Sequence, residues 1–160
     1  MPPWTDRVNR LVLGAVLTAC SAGVVHAEPA ASSCAVDKRC HALRDFFLRY
    51  NSPLEKLAVV FVRAADDNRL DWRLLPAISM VETTGGNHGT RSNVFGWNSG
   101  KTRFASVEAG ILFVAERLAR SPIYAGRTAM GILRKYNPAR EAYPQKVTRF
   151  MMELSNDPVH

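Results

Sequence analysis

Apolar positions along most of this chain recur at three- and four-residue intervals, the spacing that lines up side chains on one face of an α-helix. Leu43, Phe46, Phe47 and Tyr50 mark a helix ending near Asn51. Ser52-Pro53-Leu54-Glu55 then reads as a helix start, with Ser as N-cap, Pro at the first helical position and Glu placed to close a capping box. The helix it opens places Leu54, Leu57, Ala58, Phe61, Val62 and Ala65 on one face, and Asp66-Asp67-Asn68 ends it. Asp71 caps a short, mostly apolar helix that closes on Glu82, where Thr83-Thr84-Gly85-Gly86 breaks it.

The helical period lapses from Thr83 to Gly100, where Gly, Asn, Ser and Thr dominate. Val94-Phe95-Gly96-Trp97 and Lys101-Thr102-Arg103-Phe104 flank Asn98-Ser99-Gly100, the pattern of a small β-hairpin. Ser106 caps the next helix, with Val107, Ile111, Val114, Ala115 and Leu118 on its buried side. A shorter helix is expected from about Thr128 to Lys135, and a last one from Pro144 carries Val147, Phe150, Met151 and Leu154. The pattern predicts a mainly α single domain over residues 41–160, with one hairpin directly after the helix that ends in Glu82. There is no internal repeat.

The first residues stand apart from that domain. Arg7 and Arg10 precede the apolar run Leu11–Ala19, which is too short to span a bilayer and reads as an export signal over residues 1–27. Val25-His26-Ala27 fits ordinary signal cleavage, while Leu17-Thr18-Ala19-Cys20 resembles a lipoprotein box that would leave Cys20 lipidated; both routes stay open. The protein is therefore expected in the periplasm or outside the cell, with membrane attachment only through a lipidated Cys20. Residues 28–40 form an Ala-, Ser- and Pro-rich lead-in that ends in a cysteine loop. Once Cys20 is set aside, Cys34 and Cys40 remain, an even pair in an oxidising compartment, so a structural disulfide is the expectation.

The formal charge is +7, and removal of Arg7, Arg10 and Asp6 with the signal leaves +6. A basic exported protein suits an anionic extracellular polymer or surface better than nucleic acid. His41 and His88 are isolated, so no metal site or cofactor is expected, and no Ser-His-Asp or Cys-His arrangement emerges. Gly85-Gly86-Asn87-His88-Gly89 lacks the Lys-Ser/Thr context of a phosphate loop and is better read as a turn allowing close approach to Glu82. Nothing in the sequence bears on oligomeric state.

Glu82 is the residue with chemical promise. A carboxylate in the last helical turn faces the negative end of the helix dipole, and Ile78 and Leu75 share its face. Both effects disfavour the charged form, as suits a general acid.

A helix ending in Glu, a Gly-rich turn, a hairpin and further helices together resemble the lysozyme superfamily. Val81-Glu82-Thr83-Thr84-Gly85-Gly86 is similar to the Glu-Ser-Gly segment of goose-type lysozymes and lytic transglycosylases. Asn93-Val94-Phe95-Gly96-Trp97 resembles the Asn-x-Phe-Gly strand of bacterial peptidoglycan glucosaminidases of the flagellar and autolysin type, the mannosyl-glycoprotein endo-beta-N-acetylglucosaminidase-like group. Phe104–Gly110 resembles that group's way into its next helix, and Tyr136-Asn137-Pro138 with Tyr143–Val147 its closing Tyr-containing segment. The resemblance runs from about Leu43 to Leu154 and implies a lysozyme-like helical domain that cleaves β-1,4 bonds of peptidoglycan strands. Glu82 would be the general acid. Thr83, Asn93, Phe95, Tyr136 and Tyr143 become candidates for binding the sugar or orienting the acid, with plain packing the alternative for Phe95, Tyr136 and Tyr143 and holding the hairpin the alternative for Asn93.

One feature departs from the two-carboxylate scheme of most glycosidases. Between Thr83 and Val107 there is no Asp or Glu, and the expected hairpin carries Lys101 and Arg103 instead. Glu108, the next carboxylate, lies in a first helical turn, an ordinary structural place for an acid. A lone acid is compatible with substrate-assisted hydrolysis, with lytic transglycosylation giving 1,6-anhydro ends, or with a non-catalytic peptidoglycan-binding or envelope-assembly protein; chitin-type oligosaccharide is a further possible substrate.

Overall fold

A computed structural model describes Cys34, residues 37–89 and residues 92–155. The expected export signal, Cys20 and most of the expected lead-in lie outside the described residues. Six α-helices occur among those described: α1 (Lys38–Arg49), α2 (Ala58–Asn68), α3 (Leu74–Thr83), α4 (Val107–Arg120), α5 (Ala129–Tyr136) and α6 (Tyr143–Leu154). The mainly α expectation holds. None of these helices is long and apolar enough to cross a membrane.

The centre of the molecule is α3, in which every residue from Leu74 to Met80 is buried. A helix apolar on all sides must be surrounded, and α2 and α6 both pack on it, with α4 behind α2 and α1 against α2. The buried Ser79 hydroxyl donates to Pro76 O at 2.7 Å, so this core helix keeps no orphan hydroxyl. At its start, Asp71 accepts from the Arg73 amide at 3.0 Å and pairs with the buried Arg73 guanidinium at 2.6 Å. Asp71 thus organises the turn before the helix, but it does not cap it as expected: Arg73 is the N-cap residue and no side chain caps this helix.

The capping box at Ser52 forms only in half. Ser52 accepts from the Leu54 amide, but Glu55 does not reach back, and its Oε2 is buried without a partner. Ser52 instead donates its hydroxyl to Gly85 O, tying the start of this segment to the turn after α3. The strained start is a 3₁₀ turn over Pro53–Leu57 that becomes α-helical only at Ala58. The expected Ser106 cap forms, accepting from the Ala109 amide, and Thr128 caps α5 by accepting from the Gly131 amide. Cys34 and Cys40 are joined in a disulfide with Cα atoms 5.3 Å apart, and Cys40 lies in the core.

The β pairing expected over residues 94–104 does not occur; no β-strand is present among the described residues. The segment folds back as a succession of turns around one side chain. The Asn93 amide donates to Trp97 O at 3.0 Å and to Thr102 O at 2.9 Å, and its carbonyl accepts from the Trp97 amide at 2.9 Å. Those bonds do what a two-stranded ladder would do, and left-handed backbone at Asn98, Ser99 and Gly100 closes the tip.

Candidate functional site

Glu82 projects from the last turn of α3, which ends because Thr84 turns into the left-handed region at φ 53°. The Thr84 and Gly85 amides donate back to Met80 O and Ser79 O, which satisfies helix-end carbonyls and leaves the Glu82 side chain directed away from the core. Glu82 is half-buried and lines a groove of about 730 Å³. The turns after Asn93 supply one wall, with Gly96, Trp97, Asn98, Ser99 and Thr102. Tyr124, Tyr136, Asn137, Pro138 and Arg140 supply the other. The volume is that of a site for a ligand of several rings.

Contact between the acid and the loop is close. Gly96 has φ +59°, and a Cβ built there would lie 2.8 Å from Glu82 Oε2. Glycine is thus required twice, by the backbone and by the carboxylate resting on it.

Behind the carboxylate stand two tyrosines. Tyr136 and Tyr143 stack face to face, with ring centroids 5.9 Å apart and planes 6° from parallel. Tyr136 donates its hydroxyl to Phe95 O at 2.7 Å, fixing the loop to α5. Burial pushes its phenol well above the usual tyrosine range, and the neighbouring Glu82 charge pushes it further. Tyr143 is shifted the same way, by burial first and then by Glu82. Its buried hydroxyl lies beside the Glu82 carboxylate, the charge that raises the phenol most after burial itself. Both phenols therefore stay neutral, and the Tyr143 hydroxyl is a donor within reach of that carboxylate.

The structure brings together only part of the expected set. Glu82 and Tyr136 line the groove, and Tyr143 backs it. Thr83, Asn93 and Phe95 do not line it, a correction to the substrate contacts expected of them. Thr83 is buried, its hydroxyl placed 2.8 Å from Val94 O and accepting from the Gly86 amide at 2.9 Å, so it pins the loop to the helix end. Asn93 is committed to the loop bonds described above, and Phe95 is fully buried in edge contact with Phe61. All three shape the groove from behind. Sequence reasoning passed over Trp97, Tyr124 and Arg140 as individual residues. Trp97 meets both Phe113 and Tyr136 edge-on. The available signal was an aromatic residue in a polar, glycine-bounded turn, which Trp97 and Tyr124 share.

Among the described residues, Glu82 is the groove's only carboxylate. Glu108 is exposed in the first turn of α4, beside the Ser106 cap. Lys101 and Arg103 are exposed and do not line the groove. Comparison with known proteins adds no relative: no family model and no curated protein matches the chain.

Proposed function

We propose that this chain is an exported peptidoglycan glycosidase of lysozyme-like fold, cleaving β-1,4 bonds between N-acetylhexosamines with Glu82 as general acid. The observation that carries the reading is a single, half-buried carboxylate in a groove walled by Trp97, Tyr124, Tyr136 and polar side chains, with Arg140 its one cation. Aromatic faces and amide or hydroxyl groups are what a neutral sugar chain needs, since rings stack and hydroxyls pair.

In the proposed reaction, protonated Glu82 gives its proton to the glycosidic oxygen as the bond to the anomeric carbon breaks. With no second carboxylate in the groove, the substrate's own 2-acetamido oxygen attacks that carbon and forms a cyclic oxazolinium. Water then opens the ring and passes its proton to Glu82, restoring the acid. Tyr143, neutral and beside Glu82, donates to the carboxylate between the two steps. If the muramic 6-hydroxyl attacks in place of water, the same residues give a 1,6-anhydro end, the transglycosylase outcome.

Digestion of purified peptidoglycan by wild type and Glu82→Gln, with products read by mass spectrometry, tests the reading. Soluble fragments from wild type alone are expected, because the amide keeps the shape and cannot give the proton. Hydrated and anhydro ends separate hydrolysis from transglycosylation. The lone carboxylate also favours a second reading, a glycan-binding protein without turnover. Retention on walls with no fragments from either protein would establish that one.

A further inference from the structure

A second groove of about 590 Å³ lies between the last turn of α3 and α6, and its charge is unlike that of the first. Its walls carry Arg140, Lys146 and Arg149, against one carboxylate, Glu141. Among the described residues none of these four side chains is in an ion pair, although ion pairs form elsewhere on the surface, as between Arg49 and Glu153. Met80 and Val81 from α3 and Phe150 from α6 give the groove an apolar floor. Phe150 is held by edge contacts to Phe46 and Tyr50, so that floor is anchored in the core.

The two grooves share a lining residue and neighbouring positions of α3. Met80 and Val81 line the basic one, and the very next residue, Glu82, lines the other. Arg140 lines both, held in the turn where its amide donates to Asn137 O and its carbonyl accepts from the Tyr143 amide. A ligand in the Glu82 groove that branches beside the acid would send its branch past Arg140 into the basic groove.

We infer that this basic groove binds the short peptide branch of the glycan strand, an acyl-linked peptide with more than one carboxylate, one free amine and methyl-bearing residues. This rests on the glycosidase reading for the strand but not for the groove. Carboxylates pair with Lys146, Arg149 and Arg140, the amine with Glu141, and the methyl groups lie on Val81, Met80 and Phe150. The branch then selects peptide-bearing strands over bare ones.

The probe is the synthetic N-acetylated peptide L-Ala-γ-D-Glu-L-Lys-D-Ala, titrated into isotope-labelled full-length protein and followed by NMR. Saturable shifts are expected at Lys146, Arg149 and Phe150, weakening at higher salt. The double variant Lys146→Gln/Arg149→Gln should bind at least tenfold more weakly with an unchanged melting temperature. Should its melting temperature fall, Lys146→Gln alone serves. No shift at these residues, or a variant that binds like wild type, overturns the inference. Digestion of intact and amidase-stripped walls is run in parallel: cleavage of neither sinks the glycosidase reading alone, and the peptide titration still decides the groove.

Discussion

Alanine at Gly96 is the most discriminating perturbation, because it strikes the acid without touching it. The new methyl carbon would stand 2.8 Å from Glu82 Oε2, well inside contact distance, and the backbone there has φ +59°. Left-handed backbone costs a non-glycine residue about 1–2 kcal/mol. Gly100 supplies the control: it too is left-handed, at φ +76°, but its Cβ would meet nothing within 4 Å. Gly100→Ala therefore isolates the backbone term, and both variants should lose about 1–2 kcal/mol in urea unfolding. Only Gly96→Ala also pushes the carboxylate aside, by roughly an ångström if the contact is to relax. A misplacement of that size costs about 100-fold in rate. Turbidimetric clearing of purified walls reads the difference directly. Equal rates for the two folded variants would refute the reasoning, since the Gly96 contact would then have no hold on the acid.

Replacing Cys34 by Ser opens a loop of sequence separation 6, and in the chain-entropy picture this costs about 2 kcal/mol. Chemical unfolding should show that loss while wall clearing by the folded protein is unchanged. Asn93→Ala strips the loop of three buried hydrogen bonds and should cost about 3 kcal/mol, at about 1 kcal/mol per orphaned group. A midpoint near wild type would mean the turns hold without Asn93. Alkaline stability tests the tyrosine pair. Both folded phenols titrate above their unfolded value near 10, so their contribution is complete below about pH 10 and is lost as pH rises through the folded values. Urea midpoints should fall more steeply above that pH in wild type than in Tyr143→Phe.

How far the chain could be read in advance depended on the range of the interaction. The helices were legible because three- and four-residue spacing is a local property, and so was the cap at Ser106, a side chain reaching its own helix. The capping box at Ser52 looked equally local and was not. Its hydroxyl is drawn to Gly85 O, 33 positions away in sequence, a pull that no window around Ser52 displays. The loop misread has a similar origin: two short segments flanking the Asn98-Ser99-Gly100 turn suggested strands, but one buried amide at Asn93 bonds Trp97 and Thr102 in place of a ladder. Thr83 shows the limit for the site itself. A hydroxyl next to a candidate acid invites a substrate contact, and only tertiary placement reveals that Val94 and Gly86 already engage it.

On the proposed reading, the two grooves divide the polymer by charge. The Glu82 groove has one cation, Arg140, and otherwise neutral groups opposite the acid. Tyr136 on its wall and Tyr143 stacked behind resist ionisation more strongly for being near Glu82, so they add no negative charge that would repel the carboxylate. Such a groove suits uncharged sugar rings and holds electrostatics in reserve for the moment the acid gives up its proton. The cations gather one wall away, where a neutral strand would have no use for them. The excess positive charge of the chain, read from composition, pointed only to an anionic polymer of some kind. Its concentration at Arg140, Lys146 and Arg149, beside a groove fit for neutral rings, argues instead for a polymer whose backbone is neutral and whose branches are charged.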